Sequence, residues 1–481
     1  MTRSEFAYGG LMKYFEEISS IPRPTFHEER IAEYLCDFAE ARGLEYYRDD
    51  ANNVFIKKSG TQGRECESPI LLQGHTDMVC EKNEDTQHDF LNEGLKLYED
   101  NGLLRAKGTT LGADNGDAVA VMLYVLDGAE GHLTSHPPLE CLFTASEEVG
   151  LDGAKSFDYS KISARRMINM DSADESQILT GCAGGMRTTL RYVPGTEDAQ
   201  GEGVEIHIKG LAGGHSGEDI DKGRANSNKL MGRVLLELSG FEGFRVASID
   251  GGSKDNAITR ETRAVVTVNC AKELIARVSD IKEKIAEELC KDDGGFSLSA
   301  KKCSLPEKVM SLESGKTVVF FLATVQNGIF EMNHSIKNLV EFSRNIGVVA
   351  TDKNMESIRF TFLSRSPRDS QIKSSLAQLE SYADILGMTV EHGNYYPGWA
   401  YAEHSPMRDT YAKAYRDLFD SDIEITTIHA GLECGIIKER IPDMDMISCG
   451  PIVRCLHSPD EYMDIASFER FFTIIKNVIS K

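Results

Sequence analysis

The chain has 481 residues, enough for two or three domains, and 41% apolar residues to build their cores. Its formal net charge of −23 and pI near 5.0 exclude the basic footprint of a nucleic-acid binder and offer nothing to an anionic membrane. Eleven cysteines, an odd number without CxxC spacing, suit free thiols in a reducing cytoplasm rather than a disulfide framework.

The opening run Met1-Thr2-Arg3-Ser4-Glu5-Phe6 has no apolar signal region, and no uninterrupted apolar run is long enough to span a bilayer. Leu11 to Ser19 and Glu28 to Arg42 carry helical apolar spacing, with Ile21-Pro22-Arg23-Pro24 as the break between them. Asn53 to Lys57 and Ile70 to Gln73 predict strands, Asp117 to Gly128 a buried helix, and Leu139 to Thr144 and Met167 to Met170 strands again. Strands alternating with helices imply an α/β fold with a layered sheet.

The middle of the chain changes character. Thr262 to Cys270, Lys272 to Cys290 and Phe296 to Lys301 read as strand, helix and strand. Ser357 to Ser364, Asp369 to Leu386 and Met388 to Glu391 repeat that order. Two similar α+β halves are therefore expected in an inserted domain, residues 185–396. Pro397-Gly398 then punctuates a return to helix at Met407 to Leu418. The flanking segments, 1–184 and 397–481, are expected to form one discontinuous domain, with a central mixed sheet flanked by helices, that carries the candidate catalytic residues described next.

Five short segments supply metal-ligand chemistry, most of them just past strand ends, where open α/β sheets place their ligands. They are Gly74-His75-Thr76-Asp77, Leu111-Gly112-Ala113-Asp114-Asn115-Gly116, Ser146-Glu147-Glu148-Val149-Gly150, Asn169-Met170-Asp171-Ser172 and Cys455-Leu456-His457-Ser458-Pro459. Strand periodicity points His75 and Asp77 the same way, so that a carboxylate can hold the far nitrogen of a ligating imidazole. Imidazole plus carboxylate without thiolate suits catalytic zinc or cobalt. Adjacent Glu147 and Glu148 suggest divided labour, one holding metal and the other taking a proton from the attacking water. Each segment alone is unremarkable: an isolated Glu-Glu pair is usually a solvated helix end, and Asp-Asn-Gly is most simply a turn. Only their combination carries weight. Of the 12 histidines, His88, His132, His136, His207, His392 and His404 have no such context.

The combination resembles the co-catalytic zinc peptidases that include aminoacylases, carnosinases and glutamate carboxypeptidases. The resemblance runs over essentially the whole chain. It rests on Gln73-Gly74-His75-Thr76-Asp77-Met78-Val79, Thr110-Leu111-Gly112-Ala113-Asp114-Asn115-Gly116, Glu147-Glu148-Val149-Gly150-Leu151, Asn169-Met170-Asp171 and His429-Ala430-Gly431-Leu432-Glu433-Cys434-Gly435. It implies two divalent ions, Zn2+ with Co2+ or Mn2+ as alternatives. His75, Asp114 and Asp171 would hold one ion, and Asp114, Glu148 and His457 the other. Asp77 would orient His75, and Glu147 would be the general base. Aspartate at 171 is similar to the aminopeptidase and dipeptidase branch.

The resemblance also makes 185–396 a lid domain. His215, in Gly213-Gly214-His215-Ser216-Gly217, would stabilise the oxyanion. Asn256 would be a second polar contact, and Arg365 would capture a substrate carboxylate. The expected activity is hydrolysis of small unblocked dipeptides, Xaa-His and broader, by a cytoplasmic monomer or homodimer with neither nucleic-acid nor membrane partners. The rivals are an N-acyl-amino-acid amidohydrolase and a catalytically retired metal-binding protein.

Overall fold

The computed structural model describes residues 9–128, 133–334 and 336–481 and divides the chain into two compact units. The first takes the chain up to Cys182, then Gly398–Thr427 and Leu432–Lys481. The second takes Ala183–Pro397 and Ile428–Gly431. His132 and the opening run Met1 to Phe6 lie outside the described residues.

An eight-stranded sheet runs in the order Glu45–Arg48, Val54–Lys58, Leu139–Thr144, Ile70–His75, Arg166–Asn169, Asp445–Ser448, Gln177–Cys182, Glu424–Ile428. Leu139–Thr144 through Asp445–Ser448 are mutually parallel. Their first neighbours on either side pair antiparallel. Parallel strands are covered on both faces, which is why Leu139–Thr144 is buried at every residue instead of alternating. The parallel strands end along one edge, and three of them lead into the segments singled out above.

Helices Gly9–Ser19, Ala113–Asp127 and Ile465–Ser480 pack into this unit's core. Ala113–Asp127 is buried along nearly its whole length, as its all-round apolar composition requires. Gly128, at φ +61°, ends it in the left-handed conformation. Lys58 Nζ donates to the freed carbonyls of Val125 and Leu126 at 2.8 and 2.9 Å. Ile465–Ser480 starts where the Asp464 carboxylate accepts the Ser467 N–H at 2.8 Å. It then presents Phe468, Phe471, Phe472, Ile475 and Ile479 to the core on one helical face. Each such side chain contributes about 1.5–3 kcal/mol of burial.

A small sheet, in the order Val453–Arg454, Tyr462–Asp464, Leu103–Ala106, Leu97–Asp100, anchors the segment between Arg454 and Tyr462 that carries His457.

The second unit has one large nine-stranded sheet made of two four-stranded groups, with Gly328–Met332 added alongside Val340–Thr351. Numbered along the chain, Glu202–Lys209, Arg245–Gly251, Thr262–Val268 and Ser297–Cys303 lie in spatial order four, one, three, two. Gly184–Tyr192, Val340–Thr351, Ile358–Ser366 and Thr389–Tyr396 follow the same order. The groups join where Gly251 pairs with Val349, so each meets the other through its second strand. Helices Ser227–Leu238 and Ala271–Glu288 belong to the first group, and Leu312–Thr324 and Asp369–Leu386 to the second.

Candidate metal centre

His75 is the last residue of its strand, and Asp114 stands in the first turn of helix Ala113–Asp127. Glu147 and Glu148 follow strand Leu139–Thr144, and Asp171 follows Arg166–Asn169. His75 Nε2 is 3.0 Å from Asp114 Oδ1 and 4.0 Å from Asp171 Oδ1. His457 Nε2 is 3.3 Å from Asp114 Oδ2 and 3.1 Å from Glu148 Oε1. Asp114 thus turns one carboxylate oxygen to each histidine. Within His75–Asp114–Asp171, and within Asp114–Glu148–His457, the potential ligand atoms lie within 4.8 Å of one another. His75, Glu147 and Glu148 form a third such set.

Asp77 is fully buried, and its carboxylate is 3.3 Å from His75 Nδ1, whose hydrogen bond goes to the Asp77 main-chain oxygen at 3.1 Å. The same carboxylate accepts the N–H groups of Glu147 and Glu148 at 3.0 and 3.2 Å and the Thr25 hydroxyl at 3.0 Å. One residue therefore braces both the His75 ring and the turn carrying the glutamate pair.

The charges in this cluster are strongly displaced. Burial alone would lower His75, yet hydrogen bonds to Asp114 and Asp77 hold it well above the ordinary histidine value. Hydrogen bonds to Asp114 and Glu148 push His457 up to about 10. Burial would raise Asp114, but hydrogen bonds to His457 and His75 pull it below the usual carboxylate range. Asp171 is pushed up to about 8 by burial and then by the charge of Asp114. Burial also lifts Glu147 well above its ordinary value, against the pull of His75. Crowding of carboxylates around two imidazoles adds to burial in raising the proton affinity of Asp171 and Glu147, and a divalent cation would take over that charge compensation. A nitrogen and oxygen donor set without thiolate fits zinc or a similar ion.

The model of peptidase family M20/M25/M40 matches residues 71–481. The chain belongs to this family. It is 37% identical over 98% of its length to the cytosol non-specific dipeptidase of Escherichia coli (strain K12), covering 97% of that protein. It is also similar to the crystal structure of aminoacylhistidine dipeptidase from Vibrio alginolyticus, with a TM-score of 0.91 and 34% identity, covering 100% of this chain and 98% of that one. Aminopeptidase PepT from Bacillus cereus, with a TM-score of 0.57 and 14% identity over 98% of this chain and 97% of that one, shares the fold.

In this M20/M25/M40 peptidase the second unit gathers its own polar cluster. His215 lies in the short strand Gly214–His215, paired with Ala257–Ile258, so Asn256 adjoins it through the Ser216 N–H to Asn256 oxygen bond at 2.8 Å. Arg365 Nη2 is 3.3 Å from His215 Nε2, and its Nη1 donates to the Tyr396 hydroxyl at 2.8 Å. The His215 Nδ1 accepts the Glu218 N–H at 3.3 Å, which leaves the ring proton on Nε2, facing the guanidinium. Two donors face one another there, and the buried Arg365 Nε has no hydrogen-bond partner. An anionic oxygen would satisfy all three.

His429, Gly431 and Glu433 were given no roles from sequence, and they part company in the fold. His429 joins the Arg365 unit, where its Nε2 meets the Ser343 hydroxyl at 2.7 Å. Burial, then the charges of Arg365 and His215, push it down to about 3, so it is neutral. A Cβ on Gly431 would stand 2.7 Å from the Tyr396 ring, and one on Gly185 would clash with the ring and hydroxyl of the same tyrosine. Both glycines leave room for the tyrosine that holds Arg365. Glu433 belongs to the first unit, buried, with hydrogen bonds from Gln73 Nε2 at 2.5 Å and the Thr144 hydroxyl at 2.7 Å. Burial pushes it up to about 7.

Proposed function

We propose that this chain is a metal-dependent dipeptidase working with two zinc ions, for which cobalt or manganese can substitute. The carrying observation is Asp114, which offers one oxygen to His75 and the other to His457. His75, Asp114 and Asp171 hold one ion, and Asp114, Glu148 and His457 hold the other. When bound, such a pair supplies Lewis acidity to the scissile carbonyl and lowers the pKa of the attacking water. Asp77 fixes the His75 ring and, through the amides of Glu147 and Glu148, the height of the glutamate turn. Glu147 takes the proton of the attacking water on a carboxylate oxygen and returns it to the leaving amine.

In the segment 185–396, which we assign the part of a lid, Arg365 receives the substrate carboxylate and His215 Nε2–H the oxyanion. The mutually facing donors and the unpartnered Arg365 Nε support that assignment. Asn256 is assigned a polar contact to substrate. The names of the Escherichia coli and Vibrio relatives support dipeptides, Xaa-His among them, as substrates and the cytosol as the location.

The deciding experiment follows hydrolysis of an unblocked Xaa-His dipeptide and an N-acyl amino acid after chelator treatment and after zinc is restored. Histidine release that disappears with chelator and returns with zinc is the expected result. Cleavage of the acylated substrate alone would move the assignment to an N-acyl-amino-acid amidohydrolase. Inertness towards both, with zinc bound, would leave a metal-binding protein.

A further inference from the structure

Glu461 stands four residues beyond His457 and is 2% exposed. Its Oε2 accepts the N–H groups of Leu111 and Gly112 at 2.8 and 3.0 Å, and its Oε1 accepts that of Ala113 at 2.9 Å. The Asp114 N–H lies 3.5 Å from the same Oε1. Consecutive amides of the turn that opens helix Ala113–Asp127 therefore converge on one buried carboxylate, where the helix dipole favours negative charge. The turn is gripped from its other side as well. The Gly112 carbonyl accepts from Arg23 Nη2 at 2.5 Å, while Arg23 Nη1 donates to the carbonyls of Thr76 and Asp77 at 3.0 and 3.2 Å. Gly112 has φ +64°, and a Cβ there would stand 2.7 Å from Arg23 Nη2 and 2.8 Å from Met78 Sδ. Glycine is the residue that fits between the two clamps.

We propose that Glu461 is a positioning residue for the metal centre, fixing the Leu111–Asp114 turn so that Asp114 presents an oxygen to each histidine. Glu461 and His457 share one short segment. That segment therefore both supplies a ligand to the Asp114–Glu148–His457 set and sets the height of the carboxylate it shares with His75. The proposal rests on the metal reading of that set.

Glu461→Gln preserves size but replaces one accepting oxygen with an amide that cannot accept. Titrating zinc into this variant, the unaltered protein and His457→Ala reads the stoichiometry and affinity of both sites. Because Asp114 belongs to both sets, Glu461→Gln is expected to bind both ions about 10- to 100-fold more weakly. Its kcat should fall while the KM for a dipeptide stays put. Two ions at unaltered affinity in Glu461→Gln, with one lost in His457→Ala, overturn the proposal and leave the metal reading standing. Two ions retained in His457→Ala overturn both. Should Glu461→Gln not fold, hydrogen exchange on the unaltered protein decides. The amides of residues 111–113 are expected to be protected both before and after zinc is added, and free exchange before zinc overturns the proposal.

Discussion

The two units hold their polar clusters by different means. In the first, the reactive groups sit on turns beyond strand ends, and buried charges grip the backbone of those turns. The Asp77 carboxylate takes the amides of Glu147 and Glu148, and the Glu461 carboxylate takes those of Leu111, Gly112 and Ala113. In the second, Arg365 sits within a strand, paired across to Ser343 on one side and Gly185 on the other. Its head group is held by a side chain, the Tyr396 hydroxyl, and faces the edge of His215. A metal centre tolerates little error in ligand position, so clamping the main chain suits it. A guanidinium proposed to meet a substrate carboxylate needs orientation more than rigidity, and a phenol hydroxyl on a ladder of strands supplies that.

The sharpest break in this contrast is chemical. Glu147→Gln should lower kcat by about 10²- to 10⁴-fold while zinc content stays normal, since a general base is lost and a proposed ligand set is spared. Equal loss of metal and turnover would make Glu147 a ligand instead. Asp77→Ala tests the backbone clamp and should weaken metal binding about 10- to 100-fold, read by dialysis against buffered zinc. Retained affinity would mean that the turn is held elsewhere.

The second unit should respond in KM. Arg365→Lys removes the fork and is expected to cost about 1.5–3 kcal/mol in kcat/KM for dipeptides, and far less for their C-terminal amides. An equal loss for both substrates would separate Arg365 from carboxylate recognition. His429 probes the same cluster through stability. Its native proton affinity lies near 3, below the ordinary 6.5, because burial and Arg365 keep it neutral. Between those values the unfolded chain binds a proton that the native chain refuses. His429 therefore costs no stability above pH 6.5 and progressively more as pH falls towards 3, at about 1.4 kcal/mol per unit. Denaturant unfolding at pH 7 and pH 5.5 should show this slope, and His429→Gln should flatten it. The smallest effect belongs to Tyr396→Phe, which keeps the ring between Gly185 and Gly431 and removes one hydrogen bond. It should raise the dipeptide KM about fivefold or less, the equivalent of about 1 kcal/mol.

Much of the first unit is legible in its sequence because its proposed ligands lie at the ends of short, largely apolar runs. Leu139–Thr144 and Ile70–His75 announce themselves as buried strands, and chemistry-bearing residues directly follow or close them. The second unit is harder to read. Val340–Thr351 is buried at each of its first eight residues, polar ones included, so it shows no two-residue alternation. Its Arg344 is fully buried, its guanidinium held by Ser375, Gln378 and the Gln326 carbonyl. Local pattern cannot announce partners so far along the chain. The paired strand, helix and strand stretches at 262–301 and 357–391 were readable, whereas the strands that join the two groups were not.

By itself the sequence determined the residue types of the centre and their order along the chain. Histidine, aspartate and paired glutamate stand beside glycine-bearing turns, because ligand chemistry and strand endings are local properties. The resemblance already gave Asp114 to both ligand sets, and the structure puts one of its oxygens beside each of His75 and His457; only the tertiary structure decided that Glu461 and Arg23 hold the turn between them. It also decided that His429, Gly431 and Glu433, neighbours in sequence, serve different surroundings. Those outcomes depend on contacts across hundreds of residues, where a buried carboxylate settles on whichever backbone amides the packed core leaves without a partner.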